Sequence, residues 1–141
     1  MREQFPFIVA RLTRRWRKLL DERLKDLNVT QARWSTMLYL QRGGEGLTQR
    51  ELANLMAIEN PTLVRLLDSL EGQGLVERRP CERDRRARRL HLTPEGEKFM
   101  SELNSRAEQL RNELLAGVSD DDLEVASGLI NKILSNADKM D

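Results

Sequence analysis

The chain has 141 residues, 39% hydrophobic and 33% charged, with a formal net charge of +1. That length holds one domain with a modest core, and the composition suits a soluble, helix-rich protein rather than a disordered one. A single Cys and a single His exclude an internal disulfide and leave little material for a zinc site or a nucleophile–His pair, so neither an enzyme nor a bound cofactor is expected.

No uninterrupted apolar run exceeds four residues, as in FIVA and MLYL, so no membrane partner is expected. The first residues, MREQFPFIVARLTRRW, lack a secretory pattern. With one thiol, the expectation is a reducing, cytoplasmic location.

Residues 5–27 read as a helix. Phe5, Ile8, Leu12, Trp16, Leu19, Leu20, Leu24 and Leu27 recur at spacings of three and four. Arg11, Arg14, Arg15 and Lys18 occupy the other face. The stripe is larger than so short a chain can bury, which points to a partner helix, a second subunit being one source of it. Thr30 then reads as the N-cap of a helix reaching about Leu40, and Gly43, Gly44 and Gly46 mark a turn.

In LTQRELANLM, Thr48 and Glu51 have capping-box spacing, with Leu52, Leu55 and Met56 facing inward. After a short link, Pro61 opens a second amphipathic helix that buries Leu63, Leu66, Leu67 and Leu70. Thr62, Arg65 and Ser69 face outward, and Gly72 and Gly74 end the helix. Two short helices joined tightly in this way make a helix-turn-helix.

LVERR (75–79) and RRLHL (88–92) read as strands flanking a basic segment. From Arg78 to Arg89 there are seven arginines against Glu82 and Asp84, a local charge of +5, whereas residues 97–141 stand at −5. That split suggests a localised contact with a polyanion. The segment becomes the loop of a β-hairpin beside a helix-turn-helix, the geometry of a winged helix. Thr93-Pro94 starts a helix running to about Ala116, with Phe99, Leu103, Ala107, Leu110 and Leu114 on one face. Ser119 caps a last helix with the stripe Leu123, Ala126, Leu129, Ile130 and Ile133.

The expected fold is therefore mainly α with a small β-hairpin wing. Residues 30–92 form the winged helix-turn-helix lobe of a single 1–141 domain, and residues 1–29 and 93–141 form dimerisation helices. Duplex DNA suits such a surface. A helix whose first turn enters the major groove can present Asn60, Thr62 and Arg65 to base edges, and Arg matches the two acceptors of guanine. Arg65 could instead pair with Asp68 on the helix surface. An arginine-tipped wing can enter the minor groove, and Asp84, two residues from Arg86, can brace its guanidinium. Cys81, among Arg78, Arg79 and Arg83, should favour thiolate, which leaves open an oxidation-sensitive wing or an incidental loop thiol. His91 reads as a strand surface residue.

The run DRRARRLHLTPEG resembles the wing signature of the MarR/SlyA family of bacterial transcriptional regulators. LTQRELANLM, PTLVRLLDSLEGQGLVERR and TQARWSTMLYL agree with it. The resemblance implies a homodimeric, sequence-specific regulator, repressor or activator, of double-stranded DNA with a pseudo-palindromic site. Carried over by position, Pro61, Thr62 and Arg65 would face the major groove, Arg86 held by Asp84 would enter the minor groove, and Arg83 and Arg85 would touch phosphates. A small anionic aromatic effector, as in some members, would meet Arg14, Arg17 and Trp34, unless Trp34 is core. The competing reading is a winged-helix module that binds protein or RNA.

Overall fold

The computed structural model describes every residue except Glu45, Glu82 and Arg85. The chain falls into two compact units, Met1–Leu110 and Arg111–Asp141. Helix α1 spans Phe5–Leu24, with Pro6 in its first turn, where the missing N–H costs nothing. The expected helix to residue 27 changes instead to a 3₁₀ turn, Lys25–Leu27. Asn28 closes that turn at φ 55° by donating its N–H to the Lys25 carbonyl; Asn is among the few side chains that enter this left-handed region readily.

Helix α2, Gln31–Arg42, begins where the Thr30 hydroxyl accepts the Arg33 N–H. Helix α3, Gln49–Met56, begins where Thr48 accepts the Glu51 N–H. Among the described residues this half of the expected capping box forms, and Thr48 also belongs to a short strand, β1 (Leu47–Thr48). Helix α4, Asn60–Gly72, has Pro61 in its first turn. It is stopped by Gly74 in the left-handed region rather than by Gly72, which is its last helical residue.

Strands β2 (Val76–Pro80) and β3 (Arg88–Leu92) pair antiparallel with Val76 opposite Leu92 and Pro80 opposite Arg88. The sheet has three strands rather than the two expected, in the order β1-β3-β2, with Leu47 opposite Leu90. Pro80 is tolerated because β2 is an edge strand.

Thr93 then ties the sheet to helix α5, Pro94–Leu114. Its hydroxyl donates to the Gly74 carbonyl at 2.6 Å and accepts the Gly96 N–H at 3.0 Å. A Cβ on Gly96 would lie 2.1 Å from the Leu75 carbonyl oxygen, so only glycine permits this approach. Helix α6, Asp120–Asp138, is capped by Ser119, with Asp120, Asp121 and Asp122 at its positive dipole end.

The core joins Leu20 and Leu24 of α1 with Met37 and Leu40 of α2, Leu52 of α3, and Leu63, Leu67 and Leu70 of α4. Val76, Leu90 and Leu92 of the sheet and Met100, Leu103 and Leu110 of α5 complete it. Each fully buried leucine contributes about 1.5–3 kcal/mol relative to exposure. Leu66 is only partly covered, and Leu55, expected inside, is 54% exposed. Burial along α1 is uneven. Leu20 and Leu24 are covered, whereas Ile8 is 62% exposed and Leu12 54% exposed. Helix α6 buries none of its residues, and Leu129, Ile130 and Ile133 stay exposed.

Candidate nucleic-acid interface

The first turn of α4 carries Asn60, Pro61 and Thr62, all exposed, with Arg65 exposed one turn later. Leu63, Leu67 and Leu70, without exposed surface, fix the opposite face of the helix in the core. Asp68 pairs with Arg78 of β2, at 3.4 Å, rather than with Arg65. The guanidinium of Arg65 is thereby left to face outward. At the start of α4, Gln49 donates its side-chain amide to the Asn60 Oδ1 at 2.8 Å. This bond joins the beginnings of α3 and α4 and leaves the Asn60 amide N–H groups to donate elsewhere.

The wing is closed by backbone bonds from Cys81 N–H to the Ala87 carbonyl and from Ala87 N–H to the Asp84 carbonyl, at 3.0 and 3.1 Å. The Asp84 carboxylate accepts the backbone N–H of Arg86 at 3.0 Å, rather than bracing its guanidinium as the spacing suggested. The local bond shapes the turn and leaves the Arg86 side chain exposed. Arg83 and Asp84 are also exposed, and Arg85 lies outside the described residues.

Arg89, one of the basic run, turns inward. Its Nη1 donates to the Gly46 carbonyl at 2.9 Å and its Nε to Cys81 Sγ at 3.5 Å. This long-range bond holds the turn before β1 against the wing. Gly46 has φ +105°, which strains any side chain, and an added Cβ would also displace the His91 ring, whose Nε2 would lie 2.6 Å away. The Cys81 thiol is shifted toward thiolate, first by the Arg89 hydrogen bond and then by the backbone N–H groups of Arg83 and Asp84. The sequence expectation had the direction, but attributed it to Arg78, Arg79 and Arg83. His91 lies opposite Glu77 on β2. Partial burial and then the Arg79 charge lower its pKa.

The candidate effector residues are not gathered at one place. Arg17 lines an open cavity of about 730 Å³ with Lys25 and Arg33. Arg14 is exposed on α1 and does not line it. Trp34 packs against the core, and its indole N–H donates to Asn104 Oδ1 at 3.2 Å. Within the cavity, Asp21 accepts a hydrogen bond from the Gln31 amide at 2.9 Å, and the three cations Arg17, Lys25 and Arg33 against this single carboxylate leave the lining basic. Among the described residues there is no His, Cys, Asp and Glu grouping able to hold a metal ion, and no helix long and apolar enough to cross a membrane.

A capped helix pair, an exposed recognition-helix turn and an arginine-tipped hairpin define the winged helix-turn-helix class. A sequence profile of the MarR family matches residues 27–87. The crystal structure of transcriptional regulator PA3341 superposes with a TM-score of 0.83 at 39% identity, over 96% of this chain and 98% of that one. A Cys-to-Ser mutant of MarR from E. coli, complexed with operator DNA, gives 0.79 at 25% identity, over 92% of both chains. The S. aureus MepR–DNA complex shares the fold, with a TM-score of 0.84 at 23% identity over 97% of this chain and 99% of that one. The chain belongs to the MarR family, and its fold is that of a MarR-family transcriptional regulator.

Proposed function

We propose that the protein is a homodimeric, sequence-specific regulator of transcription that acts in the cytoplasm on double-stranded DNA. Helix α4 enters the major groove with Asn60, Pro61, Thr62 and Arg65. The wing places Arg86 in the minor groove, while Arg83 and Arg85 meet phosphates. Two-fold symmetry sets half-sites roughly 34–36 Å apart in a pseudo-palindrome. The observation that carries this reading is the paired presentation of Arg65 and Arg86, both exposed, on a core-anchored helix and a turn locked by Asp84. The MarR relative with operator DNA adds support.

Large apolar residues stay uncovered on α1 (Phe7, Ile8, Leu12) and, separately, on α6 (Leu129, Ile130, Ile133), and we assign both sets to dimer contacts. Uncovered large apolar side chains on either helix of a charged protein call for a partner. Residues 1–29 and 93–141 then serve as the dimerisation helices and residues 30–92 as the DNA-binding lobe. A small anionic aromatic effector is drawn to Arg17, with Lys25 and Arg33 around the same open cavity. Arg14 and Trp34 do not line that cavity.

The deciding experiment is titration of a duplex, selected from a random library, with Arg86→Ala. The substitution should weaken binding by about tenfold or more, as expected for a lost charge-assisted contact, without lowering the unfolding midpoint. Unchanged affinity removes the wing from the interface. Sedimentation at micromolar concentration should give a dimer, and a stable folded monomer contradicts the assembly.

A further inference from the structure

We infer that the cleft between the start of α3 and the wing seats one phosphodiester group of the DNA backbone, gripped by Arg50 and Arg88. This rests on the DNA-binding reading above and adds a site that the recognition helix and wing tip do not account for. The cleft has a volume of about 350 Å³, and Thr48, Gln49, Arg50, Arg78, Arg86 and Arg88 line it. Four arginines therefore line one concavity.

Among the described residues, Arg78 alone of the four has an acidic partner. Arg78 is committed to Asp68 at 3.4 Å and to Glu71 at 3.7 Å. Arg50, Arg86 and Arg88 are exposed and form no ion pair among the described residues. Like charges around a shared cleft repel one another, and the simplest relief is an anion between them. The positive end of the α3 dipole faces the same region, because Thr48 is both the N-cap of that helix and part of the cleft wall.

The anion that fits is a phosphodiester rather than a flat aromatic acid. No aromatic side chain lines the cleft, so a ring would have no face to stack on. A singly charged oxyanion needs only donors, which guanidinium forks supply in pairs. Position favours the same ligand. Arg86 joins the cleft to the wing tip, and α3 leads directly into α4. A duplex that receives both elements must run a backbone segment between them. Arg50 from the helix-turn-helix and Arg88 from β3 would hold that segment from two sides and fix the spacing between groove contacts.

The test compares Arg50→Gln, Arg88→Gln and the double variant on the selected duplex across a salt series. Both side chains are exposed, and matching thermal melts establish that the fold is intact. Each single variant should keep most of the slope of log affinity against log salt, because the other arginine still neutralises the phosphate. The double variant should lose about 0.9 of that slope for each lobe engaged and bind about tenfold or more weakly. Its preferred sequence should be unchanged, since phosphate contacts carry no base information. A wild-type slope in the double variant, or a changed sequence preference, overturns the cleft assignment while wild-type binding upholds the general reading. A wild-type chain that binds no duplex overturns both.

Discussion

The first turn of α4 and the tip of the wing present their candidate contacts by opposite means. Helix α4 stands on Leu63, Leu67 and Leu70, none with exposed surface. Among the described residues, the wing tip stands on two backbone bonds and one carboxylate–N–H bond. Charge is distributed the other way. Near α4, Arg65 is flanked by Glu59, Asp68 and Glu71, whereas the segment from Arg78 to Arg89 holds seven arginines. Reading base edges demands fixed donor positions, which a packed helix supplies. Attraction to phosphate or to a narrow minor groove falls off gradually with distance and tolerates a lightly held loop. Geometry is concentrated in the core-anchored element and charge in the loop, so the two can be perturbed separately.

The most severe way to break that separation is to remove the support of α4. Leu67→Ala deletes a fully buried side chain from the middle of the core. It should cost about 2–5 kcal/mol of stability, measurable by urea denaturation. Near the denaturation midpoint it should abolish helix and wing contacts together, because Val76 and Leu90 of the hairpin share that core. A wing that still bound DNA with α4 unfolded would show that the loop does not depend on the helix core.

A smaller, sharper effect is expected at Arg65. Arg65→Ala leaves the core untouched and should reduce discrimination at one base pair per half-site by about 1–3 kcal/mol. Selection from random duplexes should return a motif degenerate at that position, with the remainder preserved. An identical motif would assign base readout elsewhere, with Asn60 the next candidate. That result would also make the contrast between a reading helix and an attracting wing too simple.

Much of the α4 half of this contrast was legible in the sequence because its signals are local. The Thr30 and Thr48 caps act on N–H groups three residues away, and Pro61 announces a helix start. The wing was legible as charge and alternation, but its internal wiring was not. Asp84 was picked out by its spacing from Arg86, yet the bonded atom is a backbone N–H, a choice that spacing does not make. Arg89 looked like any other arginine of the run, and its inward role depends on Gly46, 43 residues away in sequence. Strand β1 has two residues and no periodicity, and exists only through pairing with β3. Leu55 fits an apolar spacing, but an eight-residue helix buries a narrow face, here centred on Leu52.

The smallest effect separates the two regions by acid response. His91 sits on β3 under the wing, and its pKa is lowered by partial burial first and by Arg79 second. Arg89 adds to the lowering and Glu77 opposes it. The folded chain therefore binds the His91 proton less readily than the unfolded chain does. Between the unfolded value, about 6.5, and the lower folded one, the unfolded state holds more protons, so stability rises with pH. The contribution of neutral His91 is complete above the unfolded value and is lost as pH falls through the folded one. Urea midpoints of wild type and His91→Gln, compared from pH 8 down to pH 5, should diverge below about 6.5, with wild type losing more. The charges acting on His91 are Arg79, Glu77 and Arg89, so Arg65→Ala should track wild type across the same range. Parallel curves for wild type and His91→Gln would mean that burial beneath the wing does not disfavour the imidazolium, and that the hairpin is as indifferent to acid as the helix.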